Sequence, residues 1–400
     1  MFNLPFLKKS PNVTTNKFLV AVINSESIDC MAIYADTDSK KILATAKEAL
    51  APNAVRNGTL IDLDNILGTL EKALVKISEE THDNLSNVII GVTGDICIEK
   101  VVTARIHRPQ NSHLNKKEIA SIYQRLNASV YEEVQKQYFE TKGDADADLA
   151  PTTTATIYTR VNNADVTSLE DIDAQKIEIA YYGAFCPTYH LEALQKISKK
   201  ADLKISAIAS EFYALTKALK KTGLESTDYT IIEVGSDYTS IGIVFGEGVI
   251  ANKTIQIGTK HFVEEISQIM GLAIVQAEKM LASYINNQLS QSESAIVQGC
   301  LESVLKIWLE GLELAFLEFN GVKTYAPTIY ITGLGAEIVD VYEIMGKEPW
   351  TKSIPFMSPP VLRKLEVKDF TNIKDATGTV SQSRWVLPIA LTEIFDEITL

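Results

Sequence analysis

The sequence predicts an α/β protein of two lobes, the first interrupted by an α+β insert. Three observations carry that prediction. The 400 residues are 46% hydrophobic and 22% charged, a soluble globular balance with enough apolar material for two or more cores. Helical and strand periodicities alternate along both halves, the pattern of sheets covered by helices. Most telling is Tyr229 to Leu281. It runs as a β-branched strand (Thr230 to Val234), a turn Gly235-Ser236-Asp237-Tyr238-Thr239-Ser240, a strand Ile241 to Phe245, a Gly-Glu-Gly hairpin, a third strand and a helix. Strand, short-side-chain turn, strand brings backbone N–H groups up to an anion such as a phosphate, because only small residues permit that approach.

The elements follow in order. Residues 1–16 form a polar lead. Lys17 to Tyr34 alternates and bends at Asn24-Ser25-Glu26-Ser27, giving two strands joined by a turn. Leu63, Ile66, Leu67, Leu70, Leu74 and Ile77 fall on one face of a helix over Ile61 to Ile77, capped by Asp62 or Asp64. Asn87 to Val92 reads as a buried strand, which completes the first part of the first lobe (17–103). The insert (104–184) comprises a strand, the helix Asn115 to Tyr138, the acidic loop Gly143 to Asp148, and strands Thr154 to Val161 and Lys176 to Tyr182. The first lobe resumes over 185–228 with helix Tyr189 to Lys200, a strand near Ile205 to Ile208 and helix Glu211 to Lys221.

The second lobe (229–383) adds helices Lys260 to Met270, Ala273 to Ile285 and Ser292 to Asn320. A strand Thr328 to Thr332 then enters Gly333-Leu334-Gly335-Ala336. Lys347 to Ser383 is rich in Pro and polar residues and reads as irregular. One final helix, Val386 to Ile398 within 384–400, returns to the first lobe. It places Leu387, Leu391, Ile394, Phe395 and Ile398 on one side, the mark of a core helix.

Charge and composition exclude several classes. Lys+Arg is 38 against Asp+Glu 51, and a net charge of -13 works against nucleic acid and anionic lipid. Cys30, Cys97, Cys186 and Cys300 are scattered without paired spacing, so they read as reduced cytosolic thiols with no metal. No window has the length of uncharged apolar residues needed for a membrane span. Asp144, Asp146 and Asp148 read as a solvated loop tip rather than a cation site. His107 and His113 read as surface residues. Phe2, Leu4, Phe6 and Leu7 with Lys8 and Lys9 read as a leader too short for more than marginal membrane affinity.

Four stretches together resemble the actin-like superfamily and, within it, the bacterial cell-division FtsA family. They are Val55 to Asp62 with Val88 to Gly94; the insert's Leu114 to Ile119, Val161 to Asn163 and Lys176 to Ile179; Ile255-Gln256-Ile257-Gly258 through Ala277-Glu278; and Ile331-Thr332-Gly333-Leu334-Gly335-Ala336. In that order they cover roughly residues 17 to 398. The resemblance implies an actin-like two-lobed fold with ribonuclease H-like halves. It also implies a nucleotide site built on Ser25, Glu233, Gly235, Ser236, Thr239, Glu278, Gly333 and Gly335.

Departures from the family pattern fall in that same site. The family's first strand ends in Asp-x-Gly, and Val22 and Asn24 occupy those places here. Its second loop reads Asp-x-Gly-Gly-Gly-Thr-Thr-Asp, against Glu233 to Ser240 with one glycine and an added Asp237. The family's adenosine-side Lys falls on Leu281, and a usual Gly is Asp340. Hydrolysis needs metal positioning and an oriented water together, so weak ATP binding, magnesium only with ATP, no catalytic residue and no efficient ATPase activity are expected.

The resemblance further implies a cytoplasmic scaffold that recruits division proteins such as FtsZ, self-assembles into a polymer, and reaches the inner face of the membrane through partners. The alternative from the same superfamily is the type IV pilus assembly protein PilM family, which binds a peptide of an inner-membrane partner. The insert strands before Tyr182 favour the first. A peptide groove between insert and first lobe would favour the second. A working actin-like ATPase or sugar-kinase relative is the enzyme alternative, and no convincing catalytic Asp marks the cleft base.

Overall fold

The computed structural model describes residues 16–399, apart from 37, 38, 224, 225, 247, 320 and 348. The apolar leader Phe2 to Leu7 lies outside the described residues. The chain opens with the meander β1 (Lys17–Ile23), β2 (Ser27–Ala35) and β3 (Lys40–Ala49), followed by the small hairpin β4 (Val55–Arg56) and β5 (Thr59–Leu60). Helix α1 (Leu63–Thr81) starts at Asp62, whose carboxylate accepts the Asn65 amide, and leads to β6 (Asn87–Val92). Next come β7 (Ile98–His113), α2 (Lys116–Lys142), β8 (Leu149–Val161), β9 (Ala164–Asp165) and β10 (Asp173–Pro187). Helix α3 (Thr188–Lys200), β11 (Lys204–Ser210) and α4 (Glu211–Lys221) return the chain to the first sheet.

The second half repeats the plan. A meander β12 (Tyr229–Val234), β13 (Thr239–Phe245) and β14 (Gly248–Ile255) precedes α5 (Thr259–Met270), α6 (Ile274–Ile285) and α7 (Gln291–Leu317). Then follow β15 (Thr328–Thr332), α8 (Val339–Lys347), β16 (Val361–Lys364), β17 (Ile373–Asp375), α9 (Val386–Leu391) and α10 (Ile394–Thr399). The first sheet has the order β11-β6-β1-β2-β3-β17 and the second β14-β13-β12-β15-β16. In both, an antiparallel three-strand meander is extended by two parallel strands on the side of its first member. Two packed α/β halves are therefore built on one topology.

A separate antiparallel sheet, β7-β10-β8-β9, carries α2 across one face. Ile122, Leu126, Val130 and Val134 recur every four residues and are buried against it, which is why a long, otherwise polar helix settles there. The halves meet over α4. Phe212 of that helix lies flat on Gly242 of β13, where an added Cβ would stand 2.6 Å from the ring, so the sheet can approach only at a glycine.

Three expectations are corrected. β3 is an ordered strand absent from the sequence reading. The stretch 347–383, expected to be irregular, supplies β16 and β17, short parallel strands that extend the two sheets. The single final helix is two, broken at Thr392 and Glu393, because Glu393 turns inward to an ion pair with the buried Lys40 at 3.0 Å. Its apolar side is core as expected, with Phe395 stacked on Phe18 at 4.2 Å. Asp144 and Asp146 sit in an exposed turn closed by the Asp146 amide on the Asp144 carboxylate, and His107 and His113 are exposed. Among the described residues no helix is long and apolar enough to cross a membrane.

Candidate functional site

Four turns meet between the lobes: Asn24 to Ser27 after β1, Gly235 to Tyr238 after β12, Gly333-Leu334 after β15, and Ser383-Arg384 before α9. Five of the predicted residues, Ser25, Glu233, Gly235, Ser236 and Gly333, line the cavity they enclose. Gly335 lies behind it, against Val234. The remaining two are placed elsewhere. Thr239 is fully buried under the turn, donating to the Ile257 carbonyl at 2.7 Å and accepting from the Trp308 indole at 2.9 Å, so its hydroxyl is committed to the core. Glu278 stands on the exposed side of α6.

The cavity is small. Its volume is about 30 Å³, whereas sites for drug-sized ligands occupy roughly 300 Å³ or more. Two side chains take up the space. Tyr238, where small residues would leave the turn open, is buried with its ring against Gly94. Arg384 enters from the C-terminal segment, and its side chain is only 6% exposed. Its Nη2 donates to both oxygens of Asp29, at 2.9 and 3.1 Å, and to the Ser27 hydroxyl at 2.9 Å. Asp29 pairs with Val22 across β1 and β2, so it offers a carboxylate beside the position that the resemblance expected to be acidic. That carboxylate is occupied by arginine. In this arrangement the residues do not fit ATP with magnesium. Buried Ser25 Oγ, Glu233 Oε2, Thr332 Oγ1 and Arg384 Nε find no partner among the described residues, and all four residues border a space suited to water-sized guests.

Deeper in the cleft lie three acids. Glu211, first residue of α4 after its Ser210 cap, is 2% exposed, and its carboxyl oxygens make no well-formed hydrogen bond among the described residues, although the Ser240 side chain and the Gly94 backbone stand near it. Burial, then the charge of Glu233, pushes its pKa well above the usual carboxylate range. Glu233 is half-buried as a residue but its Oε2 is shut off from solvent, and burial raises it to about 8. Glu99 accepts from the Tyr182 hydroxyl at 2.7 Å, and burial lifts it to about 7 despite that bond. Near pH 7 Glu211 and Glu233 favour the neutral form, and Glu99 is about half protonated. They can donate hydrogen bonds but are poor partners for a divalent cation.

Sequence reasoning missed Asp29, Glu211, Tyr238 and Arg384. Two of them carried a signal: Tyr238 stands where the turn has lost its glycines, and Asp29 is a lone acid inside the apolar run of β2, which calls for a buried cation nearby. Gly333 is held at φ +85, and an added Cβ would stand 2.5 Å from Glu233 Oε1 and 2.7 Å from the Val234 carbonyl. Gly333→Ala is expected to cost about 2–4 kcal/mol in urea unfolding. Gly378→Ala, at φ +69 with open space around it, should cost only about 1 kcal/mol.

A second concavity lies between the insert and the first lobe. It has a volume of about 530 Å³ and is walled by Pro151 of β8, Leu191 and Gln195 of α3, and Leu203, Ile205 and Ile208 on and beside β11. The Thr153 hydroxyl donates to the carbonyl of Ile208, one of the lining residues, at 3.0 Å and ties the two units together. Lys199, Asp202 and Lys204 stand at its exposed edge.

No family model matches the chain. The solved structures similar to it include the following two. One is the PilM-PilN type IV pilus biogenesis complex, with 12% identity over 95% of this chain and 98% of that one and a TM-score of 0.64. The other is the ethanolamine utilization protein EutJ from Carboxydothermus hydrogenoformans, with 9% identity over 96% and 90% and a TM-score of 0.51. Both are members of the actin-like ATPase superfamily. At such low identity the likeness speaks to architecture, and the chain has the actin-like two-lobed fold.

Proposed function

We propose that this protein is an adaptor that binds a segment of another protein, with type IV pilus assembly as its setting and a nucleotide site that is degenerate. One observation carries the reading. An apolar-walled concavity large enough for a peptide lies between insert and first lobe, at about 530 Å³, while the interlobe cavity is about 30 Å³. A larger concavity of about 1000 Å³, between insert and second lobe, is lined by the charged Lys100, Glu133, Lys136, Glu140 and Lys253. The walls of the first are apolar with a few polar groups, the composition that ligand clefts use for affinity and orientation. The similarity to the PilM-PilN complex over nearly the whole of both chains supports the same reading.

The division reading is second. Its support is the insert, whose elements run in the order the FtsA resemblance implies, up to Tyr182. Under it the same scaffold would recruit FtsZ and assemble into polymers. Fluorescence binding with a PilN-type cytoplasmic peptide and with the C-terminal peptide of FtsZ separates the two. Binding of the pilus peptide alone is expected, and capture of only the FtsZ peptide would overturn the first reading. Ile205→Asp places a charge on the half-buried groove wall and is expected to weaken peptide binding by about 30-fold or more, with circular dichroism unchanged. Unchanged affinity would remove the groove from the proposal. Sedimentation velocity checks the polymer.

A further inference from the structure

The turn before α9 reaches both lobes within two residues. Ser383 belongs to the second lobe by its bonds: its amide donates to the Glu337 carboxylate at 2.7 Å and its hydroxyl to the Leu365 carbonyl at 3.1 Å. Glu337 is fixed in turn by Lys364 of β16 at 2.6 Å. Arg384 belongs to the first lobe. Besides its bonds to Asp29 and Ser27, its Nη1 reaches Glu26 at 3.4 Å. Asp29 also accepts from the Asn24 amide at 2.9 Å and the Ser27 hydroxyl at 3.2 Å, so the carboxylate is enclosed by donors. At 1% exposure it is a desolvated charge that the fold can tolerate only with a cation in place.

We propose that Ser383-Arg384 is a built-in latch, in which the guanidinium acts as the protein's own cation at the interlobe cleft and holds the lobes closed without a ligand. This inference stands apart from the choice of partner, since it rests on the bonds that this turn makes to each lobe and not on the groove. A nucleotide with its metal would have to displace an almost solvent-free ion pair, in which one guanidinium nitrogen meets both carboxylate oxygens, before it could enter. Closure, which other two-lobed folds obtain from what they bind, is here a covalent part of the chain.

Hydrogen exchange by mass spectrometry on the full chain tests the latch, read at the two cleft walls: residues 24–31 on the first lobe, and residues 229–240 with 328–337 on the second. Wild type is expected to exchange slowly there, and millimolar Mg-ATP should change those rates less than about twofold. Arg384→Gln should speed exchange at both walls by about tenfold or more, while α2 and the insert sheet stay as protected as before. Arg384→Lys, which keeps the charge but not the fork, should fall between. Glu337→Ala removes an anchor on the other lobe with the Arg384–Asp29 pair intact, and should loosen both walls by a few fold, which keeps the test decisive should Arg384→Gln not fold. Arg384→Gln exchanging like wild type at both walls would overturn the latch. So would a tenfold slowing of the wild-type cleft by Mg-ATP.

Discussion

Between pH 6.5 and 8.5 the protein is expected to lose on the order of several kcal/mol of stability, seen as a fall in Tm of about 5 °C. The cause is burial of acids without cations. Glu99 and Glu233 carry folded-state pKa values raised to about 7 and about 8, and Glu211 is raised as well. In the unfolded chain these groups ionise near the ordinary value of 4.5. Between the two values the folded state holds protons that the unfolded state has released, so stability falls as pH rises. The contribution is fully present below the unfolded pKa and is lost as pH climbs through 7 and 8.

Neighbouring groups leave that window clear. Tyr182, Tyr238 and Cys97 are pushed above their ordinary values and stay neutral through it. His190, lowered to about 4 by burial, works with the opposite sign but only below its unfolded value of 6.5. Differential scanning fluorimetry across the range measures the slope. Glu99→Gln and Glu233→Gln should each flatten it, and a wild-type profile already flat over this range would refute the account.

Asp29→Ala is expected to cost about 3–5 kcal/mol, among the largest single-site losses in the molecule. The substitution removes the carboxylate and leaves the Arg384 guanidinium enclosed, with Glu26 at 3.4 Å as its remaining acid. An uncompensated buried charge is far more costly than the pair was worth. Asp29→Ala combined with Arg384→Met should therefore recover much of the loss, giving a coupling of about 2 kcal/mol or more in a double-mutant cycle by denaturant unfolding. Strict additivity of the two substitutions would mean that the pair is not the unit described above.

Much of the scaffold is legible in the sequence, since periodicity reports faces that are buried in order. The apolar spacing from Leu63 to Ile77, the branched run Thr230 to Val234 and the strand Thr328 to Thr332 all sit where the pattern puts them. β3 was invisible because Lys40 to Ala49 is rich in Lys and Ala, poor strand formers that pair only because β2 is already there. Short strands β16 and β17 owe their existence to neighbouring edges rather than to their own residues.

The cleft was half legible. Lost glycines between Glu233 and Ser240 announced a changed turn, and Tyr238 does fill it. The cation that answers Asp29 could not be read, because 38 Lys and Arg residues were candidates and the one that serves is separated from it by 355 positions. Thr239 failed as a ligand for a local reason, its hydroxyl being claimed by Trp308 of α7.

The repeated sheet order has a consequence for synthesis. Everything that the second sheet needs is contiguous, from Tyr229 to Lys364, so it can assemble as soon as that stretch leaves the ribosome. The first sheet cannot. Its outer strand is Ile373–Asp375, and the ring that covers Phe18 is Phe395. Those pairings span almost the entire chain, and such distant contacts form slowly. The half that is translated first is the half completed last, and until residues 373–395 emerge its exposed apolar face is what a chaperone would meet.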